Sequence, residues 1–208
     1  MQKVAILGSS VVGITLAQGF AKHGYAVVMG TRNPDKKTEW KGELVSFADA
    51  ARQADTLVLA VKGTVAEDVI QSIASHISGK TVIDATNPIA DAPPQKGVLD
   101  FFTSFDDSLM ERLQRLAPQA SLVKAFNSVG SALMVNPALK GGPPTMFICG
   151  NNPQAKKDVA SILHTFGWES EDMGPAEAAR AIEPLCILWC IPGFARNDWT
   201  HAFKVLRP

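Results

Sequence analysis

The sequence contains few of the residues that most often carry covalent or metal chemistry. Its 208 residues include three cysteines, four histidines and one tyrosine. Cys149, Cys186 and Cys190 form neither a CxxC pair nor a zinc-binding pattern, so we expect them to pack as small apolar side chains. The histidines are scattered and contain no HExxH motif, and we therefore expect no metal site.

The usual sets of acid and base residues are also missing. The sequence offers no Ser/His/Asp arrangement and no paired carboxylates. Its single tyrosine, Tyr25, is not followed by a lysine four positions later, which excludes a Tyr-x-x-x-Lys element. We therefore assign no catalytic residue from the sequence.

No charge of either sign prevails, because 20 lysines and arginines balance 20 aspartates and glutamates. This balance favours neither nucleic acid nor an anionic membrane as a partner. The opening MQKVAILG has no basic stretch followed by a long apolar segment, so we expect a cytoplasmic protein. The apolar run from Leu185 to Phe194 is interrupted by Pro192 and Gly193 and is shorter than the ~20 residues that span a bilayer. We expect this run to lie in the core or an interface.

Short apolar runs alternate with longer helical stretches, a pattern typical of βαβ units that build a parallel sheet. The pattern predicts a doubly wound, mostly parallel α/β sheet in a single domain over residues 1–208, with a helical appendage over about 174–208. Helices are predicted to begin near Val11, Phe47, Val65, Ser108 and Pro153, with a weaker one after Gly130. The predicted strands are Lys3 to Leu7, Ala26 to Met29, Thr56 to Val61, Thr81 to Ala85, Leu122 to Phe126 and Thr145 to Cys149.

A glycine-containing loop follows the first predicted strand and precedes a helix. It comprises Gly8, Ser9, Ser10, Val11, Val12 and Gly13. In this position Gly8 allows the sharp turn, Gly13 allows the helix to pack closely on the strand, and the helix N-terminus attracts a pyrophosphate. Ser10 replaces the middle glycine of GxGxxG, which weakens the motif, and the alternative is that both glycines only punctuate a turn. The context favours a Rossmann dinucleotide site.

The end of the second predicted strand suggests which dinucleotide binds. NAD enzymes place an acidic residue here, about 20 residues beyond the phosphate loop. This chain instead has Thr31 and Arg32, with Lys36 and Lys37 close behind. These groups suit the 2′-phosphate of NADP, whereas the alternative is an ordinary solvated basic loop.

Three later strand ends supply candidates for the nicotinamide end of the same crevice. Each segment taken alone is equally compatible with a simple turn. The candidates are Ala60, Val61 and Lys62, then Asn87 and Pro88, and then Ala125, Phe126 and Asn127.

Taken together, the segments LGSSVVG, GTRNP, DATNP and KAFNSVG and the closing MGPAEAARAIEPLCILW resemble the NADPH-dependent deazaflavin (coenzyme F420) reductase family. The resemblance covers nearly the whole chain. It implies NADP(H) in a Rossmann domain and hydride exchange with a flavin or deazaflavin, with the acceptor left open. It also implies that Gly8 to Gly13, Thr31 and Arg32 contact NADP, and that Asn87 and Ala125 to Asn127 lie at the nicotinamide side. Ser10 departs from the family's glycine.

Two other interpretations remain. The missing acid–base set also permits a non-catalytic NADP(H)-binding sensor. Pyrroline-5-carboxylate reductases and hydroxyacid dehydrogenases begin with a similar domain, but they need a long helical domain that this C-terminal stretch cannot supply. The apolar residues of that stretch indicate packing in the core or in a C2 homodimer: Leu185, Ile187, Leu188, Trp189, Phe194 and Trp199.

Overall fold

A computed structural model describes residues 2–35 and 38–208. Its main feature is a six-stranded sheet in the order β3-β2-β1-β4-β5-β6, in which every neighbouring pair is parallel. This arrangement confirms the predicted doubly wound α/β fold. The strands are β1 (Lys3–Leu7), β2 (Ala26–Thr31), β3 (Glu43–Ser46), β4 (Thr56–Leu59), β5 (Thr81–Asp84) and β6 (Ser121–Lys124).

Helices cover both faces of this sheet because its strands are apolar on both sides. In β1, Ala5 and Leu7 belong to one core cluster, whereas Val4 and Ile6 belong to the other. One face carries α2 (Phe47–Gln53), α3 (Ala66–Ile73) and α4 (Leu109–Leu116), and the other carries α1 (Val11–Lys22) and α5 (Pro153–Thr165). The helical C-terminal region contains α6 (Ala179–Ile182) and α7 (Leu185–Arg196).

Two strands form a separate parallel pair, β7 (Thr145–Ile148) and β8 (Glu169–Asp172). The predicted strand at 145–149 therefore exists, but it meets the main sheet only through an isolated antiparallel bridge, in which Lys124 N donates to Cys149 O at 3.0 Å. The sequence analysis missed β3 and β8. Neither shows a clear apolar pattern, since β3 reads ELVS and β8 reads ESED.

Several element ends also differ from the prediction. Strand β2 continues to Thr31, whereas β4 stops at Leu59 and β6 stops at Lys124. The weaker helix expected after Gly130 is a single 3₁₀ turn over Ser131–Leu133. These shifts of a few residues leave the strand ends at the same edge of the sheet.

The C-terminal region is helical as far as Arg196, whereas the predicted appendage extends to residue 208. It begins with a 3₁₀ turn at Ala176–Ala178, and α7 runs through Pro192 to Arg196. Proline removes one backbone donor and leaves the carbonyl of Leu188 without its helical partner. Leu188 is exposed, so water can satisfy that carbonyl.

This helical stretch, Ala176–Arg196, is long and apolar enough by length and composition to cross a membrane, since its most apolar window of 18 residues has a mean hydropathy of 1.3. Within the protein, 39% of its most apolar window is buried. Core helices of soluble proteins pass the same test, and here Arg180 and Glu183 both pair with residues of the main domain.

Residues beyond α7 fold back along β7 and β8. Phe203 O accepts from Thr145 N at 2.8 Å, and Arg207 pairs with Glu171 at 2.8 Å. The C-terminal region is thereby tied to the domain at both of its ends.

Candidate functional site

The carboxyl ends of β1, β2, β4 and β5 border one crevice, as expected for an open parallel sheet. The crevice consists of two cavities of about 350 Å³ and about 620 Å³. Both are lined by the same four residues, Ser10, Ala60, Val61 and Lys62, which form their common wall. The two cavities are therefore adjacent.

The glycine-containing loop lies where the two cavities meet. Gly8 adopts a φ of +125°, and a Cβ built on it would overlap the carbonyl oxygen of Ala60 and lie 2.8 Å from its carbonyl carbon. A Cβ on Gly13 would overlap the carbonyl oxygen of Gly8. Both positions thus require glycine.

Helix α1 presents its amino terminus to this loop. Ser10 is the N-cap residue, yet its side chain makes no capping hydrogen bond. The first backbone bond of the helix runs from Ile14 N to Ser10 O at 2.9 Å. The N–H groups of Val11, Val12 and Gly13 are therefore left over by the helix, which is the arrangement that binds phosphate at helix N-termini.

The smaller cavity extends from the loop to the end of β2. Thr31 is the last residue of β2, and its Oγ1 lies 3.3 Å from Ser9 Oγ. Arg32 is exposed and lines the same cavity. Asp35 lies in the turn that follows. Lys36 and Lys37 lie outside the described residues.

The larger cavity lies above β4 and β5 and is bounded on its outer side by the loop that follows β5. Its lining is mostly apolar, with Val12, Ala85, Ile89, Ala90, Ala92 and Pro93. Polar groups come from Thr86 and Asn87. Lys62 and Asp91 pair across it at 3.8 Å, with side chains that are 81% and 74% exposed.

Not all of the predicted site residues line the crevice. Val11 is 69% exposed and faces solvent, whereas Gly13 is buried under the loop. Pro88, Ala125, Phe126 and Asn127 are buried and line neither cavity. The third strand end therefore does not border the crevice directly, because the loop after β5 covers it.

The third strand end instead supports that loop from below. Phe126 adopts a φ of +63°, an uncommon conformation for a bulky residue, and this turn follows directly after β6. Asn87 Nδ2 donates to Asn127 O at 2.8 Å, and Asn127 Nδ2 donates to Asn87 Oδ1 at 3.3 Å. The two predicted asparagines thus form a pair in which only Asn87 faces the cavity.

Some lining residues could not be recognised from the sequence. Asp91 and Pro93 belong to the irregular loop after β5, whose conformation no periodicity predicts. Gly63 lies against this loop, since a Cβ built on it would overlap the carbonyl oxygen of Asn87. One signal in the sequence was the charged residue at the end of each of two neighbouring apolar strands, Asp84 in β5 and Lys124 in β6, because such charges are rarely buried without a partner.

The sequence is similar to those of known NADP-dependent reductases. A family model described as NADP oxidoreductase coenzyme F420-dependent matches residues 3–88. The F420-dependent NADP reductase of Methanocaldococcus jannaschii is 26% identical over 203 residues, covering 88% of this chain and 88% of that protein. Metalloreductase STEAP3 of Rattus norvegicus is 30% identical over 197 residues, covering 91% of this chain and 38% of that protein.

Solved structures of related proteins superimpose on this chain. A crystal structure from Arthrobacter sp. FB24, assigned provisionally to the F420-dependent NADP reductases, superimposes with a TM-score of 0.92 at 30% identity and covers 100% of both chains. The pyrroline carboxylate reductase of Plasmodium falciparum is 19% identical, with a TM-score of 0.58, and shares the fold alone. This chain spans 38% of the length of the rat metalloreductase and 35% of human metalloreductase STEAP2.

Proposed function

The chain belongs to the coenzyme F420-dependent NADP oxidoreductase family, and from that premise we propose that it transfers hydride between NADP(H) and a flavin or deazaflavin acceptor. The single observation that carries this proposal is the crevice at the strand ends, made of two adjacent cavities that share four lining residues. One cavity has the residues for a phosphorylated adenosine, and the other is a larger apolar space beside the asparagine pair.

The smaller cavity fits the adenosine 2′-phosphate of NADP. Hydroxyl groups of Ser9 and Thr31 and the guanidinium of Arg32 are donors suited to phosphate oxygens. In the part of the chain that the structure describes, this cavity is lined by Arg32 and Lys62 and by no carboxylate. The free N–H groups at the start of α1 suit the pyrophosphate.

The larger cavity has room for more than one ring. Its volume of about 620 Å³ lies within the range of roughly 300–1,000 Å³ that holds whole drug-sized ligands. Its apolar wall around Ile89, Ala90 and Pro93 suits a flat aromatic acceptor stacked on a nicotinamide.

In the proposed reaction the protein binds the cofactor and the acceptor and orients their rings. When bound, NADPH supplies the hydride, and two rings held face to face need little covalent assistance. The apolar wall excludes water from the space between the rings, while Asn87 offers an amide for orientation at the cavity edge.

The test is a titration of the purified protein with NADPH and with NADH, followed by addition of FMN and then of coenzyme F420 while NADPH absorbance is recorded. We expect tighter binding of NADPH and loss of its absorbance with at least one acceptor. Tight binding without turnover of any acceptor in the panel would contradict the proposal and favour an NADP(H)-binding sensor.

We also propose a cytoplasmic location and a homodimer, with a small-molecule acceptor as the other partner and neither nucleic acid nor membrane involved. The dimer is motivated by the exposed apolar residues of α7, where Leu188 is 54% and Phe194 is 43% exposed. Light scattering over a wide concentration range should give twice the monomer mass for the wild type and a monomer for Leu188→Glu. A wild-type monomer at every concentration would contradict it.

A further inference from the structure

A buried cluster of charges lies beneath the larger cavity. Lys124, the last residue of β6, has its Nζ 2.7 Å from Asp84 Oδ2 and 2.9 Å from Glu183 Oε1. The three side chains are 0%, 0% and 2% exposed. Burial by itself lowers the pKa of Lys124, but the attraction of Asp84 and Glu183 outweighs it and raises the pKa above its ordinary value. The lysine is therefore charged.

The cluster makes hydrogen bonds to both the backbone and the side chain of one residue that lines the cavity, Thr86. Lys124 Nζ donates to the carbonyl oxygen of Thr86 at 3.0 Å. Asp84 Oδ1 accepts from Thr86 N at 2.9 Å and from Thr86 Oγ1 at 2.6 Å. Thr86 lines the larger cavity and directly precedes Asn87, so the cluster fixes the backbone from which the Asn87 side chain extends.

A second set of contacts ties the asparagine pair to the same place. Asn127 Nδ2 donates to the carbonyl oxygen of Ile182 at 2.9 Å as well as to Asn87 Oδ1. Ile182 and Glu183 are neighbours at the end of α6. Both wall residues, Thr86 and Asn87, are thus connected to one short segment of the C-terminal region.

Glu183 is itself held by the main domain. Its carboxylate accepts from Leu109 N at 3.1 Å and from Met110 N at 3.0 Å, the first two residues of α4. This contact matters because the cluster contains two carboxylates for one lysine, and a helix amino terminus stabilises the additional negative charge.

We propose that Lys124, Asp84 and Glu183 are positioning residues that fix the Thr86 and Asn87 wall for the nicotinamide end of NADP(H). This inference rests on the proposed function for the identity of the ligand. Replacing the lysine leaves two carboxylates buried without their cation, and Thr86 loses its donor. The adenine end is lined mainly by residues that follow β1, β2 and β4, and none of the contacts described above reaches them.

The separation between the two ends provides the test. Adenosine 2′,5′-bisphosphate carries the 2′-phosphate but no nicotinamide, so it reports on the smaller cavity alone. We would measure its Kd and that of NADPH by calorimetry for the wild type, Lys124→Met and Glu183→Gln. The NADPH Kd should rise about tenfold in both variants, the size of one lost hydrogen bond, whereas the bisphosphate Kd should change less than about twofold.

Arg180→Gln is the matched control. Arg180 lies on the same α6 and pairs with Glu111 of α4 at 2.6 Å, but it makes no contact with Lys124 among the described residues. Its loss should lower the Tm by loosening α6 without changing the ratio of the two Kd values. This control separates positioning from a general loss of stability.

Equal weakening of both ligands in Glu183→Gln, or an unchanged NADPH Kd in that folded variant, would overturn the proposal. Should Lys124→Met fail to fold, Asn127→Ser replaces it, with the same expected change in the Kd ratio because the contact with Ile182 is lost. Equal affinity of the wild type for both ligands would also overturn the proposal. Absence of acceptor turnover with a normal Kd ratio would contradict the proposed function alone.

Discussion

Replacing Gly63 by alanine tests whether the crevice wall depends on a close approach between two backbones. A Cβ at this position would overlap the carbonyl oxygen of Asn87 and lie 2.9 Å from its carbonyl carbon and 3.2 Å from Pro88 Cα. These neighbours are backbone atoms, so no side-chain rotation can relieve the overlap. The loop after β5 must move away from β4, at a cost of about 1–3 kcal/mol for an added methyl group in a packed region. For a domain of this size we expect the Tm to fall by roughly 3–9 °C.

The assay has two readouts and a matched control. Thermal unfolding gives the stability change, and NADPH titration should show weaker binding, because Asn87 moves with the displaced loop. Gly141→Ala makes the same chemical change at an exposed position where a Cβ would meet nothing within 4 Å. It should leave the Tm unchanged or raise it slightly by reducing the freedom of the unfolded chain. If Gly63→Ala behaves like Gly141→Ala in both readouts, the proposed contact between Gly63 and Asn87 is wrong.

Three further predictions follow from charge and burial. Arg32→Ala should weaken NADPH binding by about 1.5–3 kcal/mol and NADH binding much less. Arg52→Ala, on the surface of α2, is the control. Equal losses in titrations of both cofactors would contradict the NADP assignment. The hydrogen bond from Arg180 lowers the pKa of Glu111 to about 2 from 4.5, so this pair stabilises the fold above pH 4.5 and loses its effect as the pH falls from 4.5 toward 2. Glu111→Gln should therefore cost about 1–2 kcal/mol in urea unfolding at pH 7, after allowance for solvent screening, and progressively less below pH 4.5; a constant difference would argue against the ion pair. Burial raises the pKa of the Cys149 thiol to about 12, whereas a hydrogen bond from Cys186 lowers the pKa of Cys190. Iodoacetamide should therefore label Cys190 before Cys149, which mass spectrometry can show. Earlier labelling of Cys149 would refute this order.

The fold was predictable because its central strands are continuous apolar runs separated by helices. The residues of β1, β4 and β5 contact helices on both faces, so burial itself produces the signal in the sequence. Outside the main sheet, in β8, this apolar pattern is missing. The four residues of β8 are all polar, and its position depends on pairing with β7 and on the C-terminal tail, which are contacts between distant parts of the chain.

The site was predictable to the extent that a motif fixes backbone geometry. Gly13 is required by a contact with Gly8 inside one strand, turn and helix, and Arg32 follows at a fixed distance along the next strand. Gly8 has a positive φ in the same turn and in addition lies against the carbonyl group of Ala60, which follows β4. The sequence could not show that Asn87 reaches the cavity and Asn127 does not. The conformation of the irregular loop after β5 decides this. The role of Glu183 was equally hidden, since its partner Lys124 lies 59 positions earlier in the chain.

The two ends of the crevice differ in how they select a ligand. Among the described residues, no carboxylate lines the smaller cavity; its two cations are Arg32 and Lys62, and Lys62 pairs with Asp91 of the larger cavity. We therefore expect its preference for a 2′-phosphate to come from the charge of Arg32 and to weaken as salt is added. In the larger cavity Lys62 is paired with Asp91, and the remaining lining is uncharged. Nothing in that balanced pair favours an anionic group on the acceptor, so selection there rests on the shape of an apolar space that suits a flat ring. In the proposed function, we therefore expect charge at one end to select the cofactor and packing at the other to select the acceptor.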